Sequence, residues 1–344
     1  MQMDKCASKK LHLGAPLLDT YDDYALFSGI LSDQEDAMLW FYNHFINISY
    51  DQTHSAHYFS NGHTASKLCP WIIYDSFCDE TFSNLSDKTI CEMIIDCINR
   101  DFYLIMYLDI FYLKDIDYHL NHKICIYGYD QNNDTFYIAD NTFGQGKFTE
   151  STCSFQDLEK AYHAAYATNK LPQVKIELLR LFKYSKYESN KDGFDAGELK
   201  PYQIVCQLEN YIYSRFDWDY IHHNPSIYGM KSVEYFIDNL NDESDSRIDM
   251  RAMHLFYERK KLMVLRLNYI NEVFENSIPR SIIETTVSLE QNALKLRNMA
   301  LKYNLLPNKA ILEKIRQGLT KDLDIEKELS LQIIERLNHL IASF

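Results

Sequence analysis

Two short apolar runs separated by a polar turn constrain this chain more than anything else in it. His122-Lys123-Ile124-Cys125-Ile126-Tyr127-Gly128-Tyr129-Asp130 alternates, and after Gln131-Asn132-Asn133-Asp134 comes Thr135-Phe136-Tyr137-Ile138-Ala139-Asp140-Asn141. Alternation at period two around an Asn/Asp turn predicts an antiparallel β-hairpin. Such pairing sets the start of one strand beside the end of the other, so His122 falls next to Asp140 and Asn141. An acid or amide there accepts the imidazole N–H, fixes the tautomer and leaves the second ring nitrogen to act as a base.

The rest of the chain supplies a core for that hairpin. At 344 residues it is long enough for two domains. Hydrophobic residues make up 46%, with 26 Tyr and 19 Phe against 10 Gly and 7 Pro, which points to aromatic, close-packed cores rather than disorder. A formal charge of −14 argues against a nucleic-acid surface, because neutralising phosphates takes clustered Lys and Arg. The first residues hold no apolar signal region, and no run approaches the ~20 apolar residues of a membrane span, so no membrane association and a cytoplasmic location are expected. Eight cysteines lack paired C-x-x-C spacing and read mainly as reduced core residues.

Helices are predicted from Asp22-Asp23 through Leu31, from Lys88 to Asn99 behind a Ser86 cap, and from Ser154/Asp157 to Ala167; residues 38–50 read as helix turning into strand. Strands are predicted at 102–112 and 174–184, and residues 54–71 read as a long polar loop. Composition shifts to Ser, Lys, Glu, Asn and Gly between Tyr184 and Gly197, a linker, after which helices are expected at 199–216, 231–240, 249–274, 282–303 and 325–341.

Other candidates are weaker. Arg259, Lys260 and Lys261, with Arg251 and Arg266, form the one concentrated basic stretch, either a docking stripe for an acidic partner or a solvated helix face. His54, His57, His63 and Cys69 match no strong metal signature, and the adjacent His222-His223 read as a polar loop. No Gly-rich phosphate loop is present, and no cofactor or metal is expected. Exposed aromatics permit a homodimer without requiring one.

Pro16-Leu17-Leu18-Asp19-Thr20-Tyr21, the hairpin, Tyr228-Gly229-Met230 and Ile248-Asp249-Met250-Arg251-Ala252-Met253-His254 leading to Lys260-Lys261-Leu262-Met263 together resemble the butirosin biosynthesis protein H-like family. The resemblance implies a papain-like α+β domain over residues 1–184 and an α-helical domain over 185–344. It implies an acyltransferase that moves an acyl group from the phosphopantetheine thioester of an acyl or peptidyl carrier protein to an amine, in assembly of a peptide antibiotic. His122 matches the family's base and Asp140 its orienting residue, with Asn141 a close second. The nucleophile is where the chain departs: Asp23 falls nearest the position of the family's Cys. A carboxylate is a poor nucleophile toward a thioester. Direct aminolysis with His122 as base, a thiol from Cys6 or Cys69, or a noncatalytic scaffold on an assembly line are the outcomes this leaves open.

Overall fold

The computed structural model describes residues 7–78, 88–113, 117–144, 146–168, 175–181, 198–216, 226–240, 247–275 and 277–343. The first stretch of chain forms β1 (Ser8–Lys10), α1 (Asp22–Ile30), α2 (Met38–Asn43), β2 (Ile48–Asp51), β3 (Ala56–Phe59), α3 (Gly62–Lys67) and β4 (Ile72–Cys78). Next come α4 (Ile90–Asn99), β5 (Tyr103–Asp109), β6 (Asn121–Asp130), β7 (Thr135–Asp140), β8 (Thr149–Ser154), α5 (Phe155–Thr168) and β9 (Lys175–Leu181). The chain then turns helical, through α6 (Pro201–Ile212), the short β10 (Ser226–Tyr228), α7 (Gly229–Asp238), α8 (Met250–Val273), α9 (Arg280–Leu305) and α10 (Lys309–Ile341). The class is mixed α+β, an antiparallel sheet followed by a helical region.

Contacts divide the chain into two compact units, Met1–Glu35 with Lys67–Asp192, and Asp36–Ser66 with Gly193–Phe344. The second unit takes in a stretch that a contiguous division assigns to the first. The cause is a backbone ladder: β2 pairs with β3 on one side and with β10 on the other. Residues 54–71, expected as loop, contain β3 and α3, and His57 is buried with its Nε2 2.9 Å from Ser232 O.

The first unit is built on a sheet in the order β4-β9-β5-β6-β7-β8, with β1 added to β6 and every pairing antiparallel. Ile94 and Ile98 of α4 and Leu158 and Ala161 of α5 pack with Leu104, Met106, Ile124, Ile126 and Ile138 of the sheet, all of them nearly or fully buried. The α4 cap is Thr89 rather than Ser86, which lies outside the described residues: Thr89 Oγ1 accepts from Glu92 N at 3.3 Å and Glu92 Oε2 from Thr89 N at 2.9 Å. Thr89→Ala removes one half of this reciprocal pair and is expected to destabilise the protein by about 1 kcal/mol in urea unfolding. The linker at 184–197 also falls outside the described residues.

Helix α1 is apolar nearly all round, and every residue from Tyr24 to Ile30 is buried. Its Ser28 makes this tolerable. Ser28 Oγ donates to Tyr24 O at 2.8 Å and accepts from Leu17 N and Leu18 N at 3.1 and 3.3 Å, tying the segment before the helix to its body. The N-terminus of α1 is thereby fixed, with the acidic pair Asp22 and Asp23 in the first turn where the helix dipole favours negative charge.

In the second unit, Arg259 and Lys260 are buried, Arg259 at 2% exposure, so the proposed basic docking stripe is corrected. Both face inward to Glu326 on α10: Arg259 forms an ion pair with it, and Lys260 Nζ stands 3.2 Å from Oε2. Tyr211 donates to the same carboxylate at 3.1 Å and stacks under the Arg259 guanidinium at 3.5 Å. Arg266 is buried as well, donating to the carbonyls of Phe41, Tyr42 and His44 at the end of α2. Those are carbonyls a helix terminus leaves without intrahelical partners. Of the stripe, Lys261 is partly exposed and Arg251 is exposed, its Nε 3.3 Å from Asp249 Oδ1. His222-His223 lie outside the described residues.

Candidate functional site: a carboxylate–imidazole–carboxylate cluster

The hairpin forms as expected. Cys125 pairs with Ala139 and Ile126 with Ile138, which leaves His122 near the start of β6 and Asp140 at the end of β7. His122 Nδ1 lies 3.2 Å from Asp140 Oδ2 and 3.1 Å from Lys123 O. Asp140 is wholly buried and held in place by Thr142, whose N–H donates to Oδ2 at 3.2 Å and whose hydroxyl donates to the same oxygen. Of the two candidate orienting residues, Asp140 is the ring's partner. Asn141 is engaged elsewhere, its Nδ2 donating to Asp19 O at 3.1 Å.

On the other side of the ring stands Asp22, with Oδ2 3.6 Å from His122 Nε2. This corrects the placement of Asp23 at the nucleophile position. Tyr21 is the N-cap of α1, so Asp22 is the first helical residue and Asp23 the second, and the ~100° turn between them sends the side chains to different partners. Asp23 lies 3.5 Å from Lys123 Nζ, which also approaches Glu177 at 3.8 Å. Asp22, His122 and Asp140 each offer a ligand-type atom within 4.8 Å of the others.

No thiol takes part among the described residues. Cys69 is buried, and burial pushes its thiol up to about 12 despite hydrogen bonds from the Trp71 and Ile72 backbone. Cys125, one strand residue beyond Ile124, is buried too, and burial with the nearby Asp140 charge holds it well above the ordinary thiol range. Neither supplies a thiolate near neutral pH. Cys6 lies outside the described residues. In native protein Cys69 and Cys125 are expected to resist a thiol reagent until urea unfolds the chain, which labelling followed by mass spectrometry measures.

Electrostatics make the three groups a unit. Burial is the largest influence on Asp22 and, with the Asp140 charge beside it, pushes its carboxyl up to about 8, although His122 works the other way. Burial opposes charge on His122, but the hydrogen bond and charge of Asp140 and the charge of Asp22 outweigh it and raise the imidazole to about 9. Asp140 is also opposed by burial, and the bond to His122 carries it below the usual carboxylate value. The directions of the three shifts favour protons on Asp22 and His122 and a charged Asp140. Two protons are held among three groups.

Both raised groups bind protons more tightly in the folded chain than in the unfolded one. His122 therefore contributes stability that is present in full below about 6.5 and is lost as pH rises through about 9, and the cost of Asp22 grows over 3.8 to 8 in the same direction. The melting temperature is expected to fall from pH 6.5 to 9, and Asp22→Asn to flatten that fall, in thermal scans across the range.

The sequence alone pointed to His122 and Asp140 and missed Asp22, Thr142 and Lys123. No family model matches this chain, and no curated protein matches its sequence. No helix among the described residues is long and apolar enough to cross a membrane.

Proposed function

We propose that this chain is an amide-forming acyltransferase of papain-like fold that passes an acyl group from a carrier-protein thioester directly to an amine, without an acyl-enzyme. The observation that carries the reading is the Asp22–His122–Asp140 cluster: a helix N-terminus presents a titratable carboxyl group to a histidine oriented by a buried carboxylate. In papain-like enzymes the group from the helix is a thiol. Here it is a carboxylate, and a thioester is activated enough to need no covalent intermediate.

The amine nitrogen attacks the thioester carbonyl carbon, the carbon–sulfur bond breaks and the pantetheine thiolate leaves. The proton lost by the amine goes to the Asp22–His122 pair and then to the departing sulfur. The pair can accept it only after releasing one of its own two protons, so the rate is expected to rise with pH through about 8 to 9. The likeness to the butirosin biosynthesis protein H-like family supports the same donor and acceptor classes, a carrier protein with its phosphopantetheine arm and an amine.

A second reading has its own support. The imidazole is flanked by carboxyl groups on both ring nitrogens and is 30% exposed, an arrangement that also suits a noncatalytic scaffold of an assembly line. The deciding experiment incubates the chain with an acyl carrier thioester and an amine and follows both by intact mass. The acyltransferase reading expects amide formation, consumption of the thioester and no mass added to the chain. Carrier binding with donor and amine both unreacted would favour the scaffold.

A further inference from the structure

The hairpin of α9 and α10 encloses a second site, unrelated to the His122 cluster. A groove of about 640 Å3 runs between the two helices. Its α10 wall carries Lys314, Gly318, Lys321 and Asp322, spaced so that one stripe of the helix faces α9, which contributes Asn292 and Lys295. Gly318 sets the width: a Cβ there would stand 2.6 Å from Leu296 Cδ2, so the helices approach as closely as a side chain allows and open on either side.

The chemistry of this groove is out of keeping with the chain. In a protein of net charge −14, three lysines converge on it, and none of them has a hydrogen-bond or ion-pair partner among the described residues. The second observation is independent. Asp322 is 4% exposed, and although its Oδ1 accepts from Asn292 Nδ2 at 2.7 Å, its Oδ2 is buried with no hydrogen-bond partner. A buried carboxylate oxygen left without a donor is costly. A smaller cavity of about 360 Å3 continues the groove, sharing Thr285 and Ile325 and adding Asp324 and Glu328, so the charge changes sign along its length.

We propose that the groove between α9 and α10 binds a small molecule carrying a phosphate at one end and an ammonium at the other. The lysine ammoniums suit a phosphate as point charges, and an N–H donor of the ligand satisfies Asp322 Oδ2. Asp324 and Glu328 favour the same cationic end.

Isothermal titration of the full chain with three probes tests this. Glucosamine 6-phosphate has both charged ends, glucose 6-phosphate lacks the amine, and inorganic phosphate has only the anion. Affinity is expected to fall in that order, with the amine contributing about tenfold. In the Lys314→Gln/Lys321→Gln double variant, whose two sites are exposed and leave the melting temperature unchanged, binding of all three weakens by about tenfold or more. Asp322→Asn brings glucosamine 6-phosphate down to the affinity of glucose 6-phosphate and leaves inorganic phosphate unaffected. The proposal is overturned if glucosamine 6-phosphate shows no saturable binding up to about 10 mM, if the two sugars bind equally, or if the folded double variant binds like the parent. None of these results bears on acyl transfer.

Discussion

Glu326→Ala is expected to cost the protein about 3–5 kcal/mol of stability, the cost typical of breaking a buried ion pair from one side. Glu326 is buried against Arg259, Lys260 and Tyr211. Burial works against its charge, but the two cations hold its carboxyl down to about 2. Removing it leaves Arg259, already with one guanidinium nitrogen lacking a hydrogen bond, and Lys260 facing each other in a site closed to water. Glu326→Gln keeps an acceptor for Tyr211 and is expected to lose less. Because the folded value is depressed, the stabilisation is present above 4.5 and is lost as pH falls through about 2, so the difference between parent and variant should shrink in strong acid. Urea unfolding at pH 7 and at low pH checks both statements. An unchanged midpoint for Glu326→Ala at pH 7 would contradict this account of the helical unit.

The largest expected effect on activity comes from His122→Ala, which should lower the rate of carrier-to-amine transfer by roughly 10²–10⁴, the usual contribution of a positioned proton acceptor. His122 lies at the strand end with Asp140 and Asp22 on its two nitrogens, so its loss removes one of the two groups that share the amine's proton and takes the imidazole from between the two carboxyl groups. Asp140→Asn tests the positioning role separately. It keeps the shape and the link to Thr142 but removes the charge that raises the imidazole, so the pH profile of the rate should move to lower pH. A merely structural role for Asp140 would change the rate without moving the profile. Melting scans of both variants separate lost activity from lost fold.

The hairpin, the strands at 103–109 and 175–181 and most helices were legible because each rests on local periodicity. Features set by distant partners were not. Helix α10 begins at Lys309, sixteen residues before the expected 325, although Asn308 caps it through Ala310 N and Ile311 N and Leu312, Ile315, Leu319 and Leu323 mark its buried stripe. Gly318 and the dense charges around it masked that stripe. Arg259 and Lys260 read as a surface because charge on a helix is usually solvated, and the acid that draws them inward lies 67 and 66 residues further along the chain. The nearness of His122 and Asp140 was legible because one hairpin carries both. Asp22 was displaced by one residue in favour of Asp23, and only the position of the cap at Tyr21 decides which side chain meets the ring.

A 13C or 15N titration of the His122 ring by NMR tests the central claim most directly, since it reads the proton that the three groups share. The account predicts an imidazolium that persists to about pH 9 in the parent chain and titrates at lower pH once Asp140→Asn removes its partner's charge. A ring that titrates near 6.5 in the parent, unmoved by either Asp140→Asn or Asp22→Asn, would contradict it.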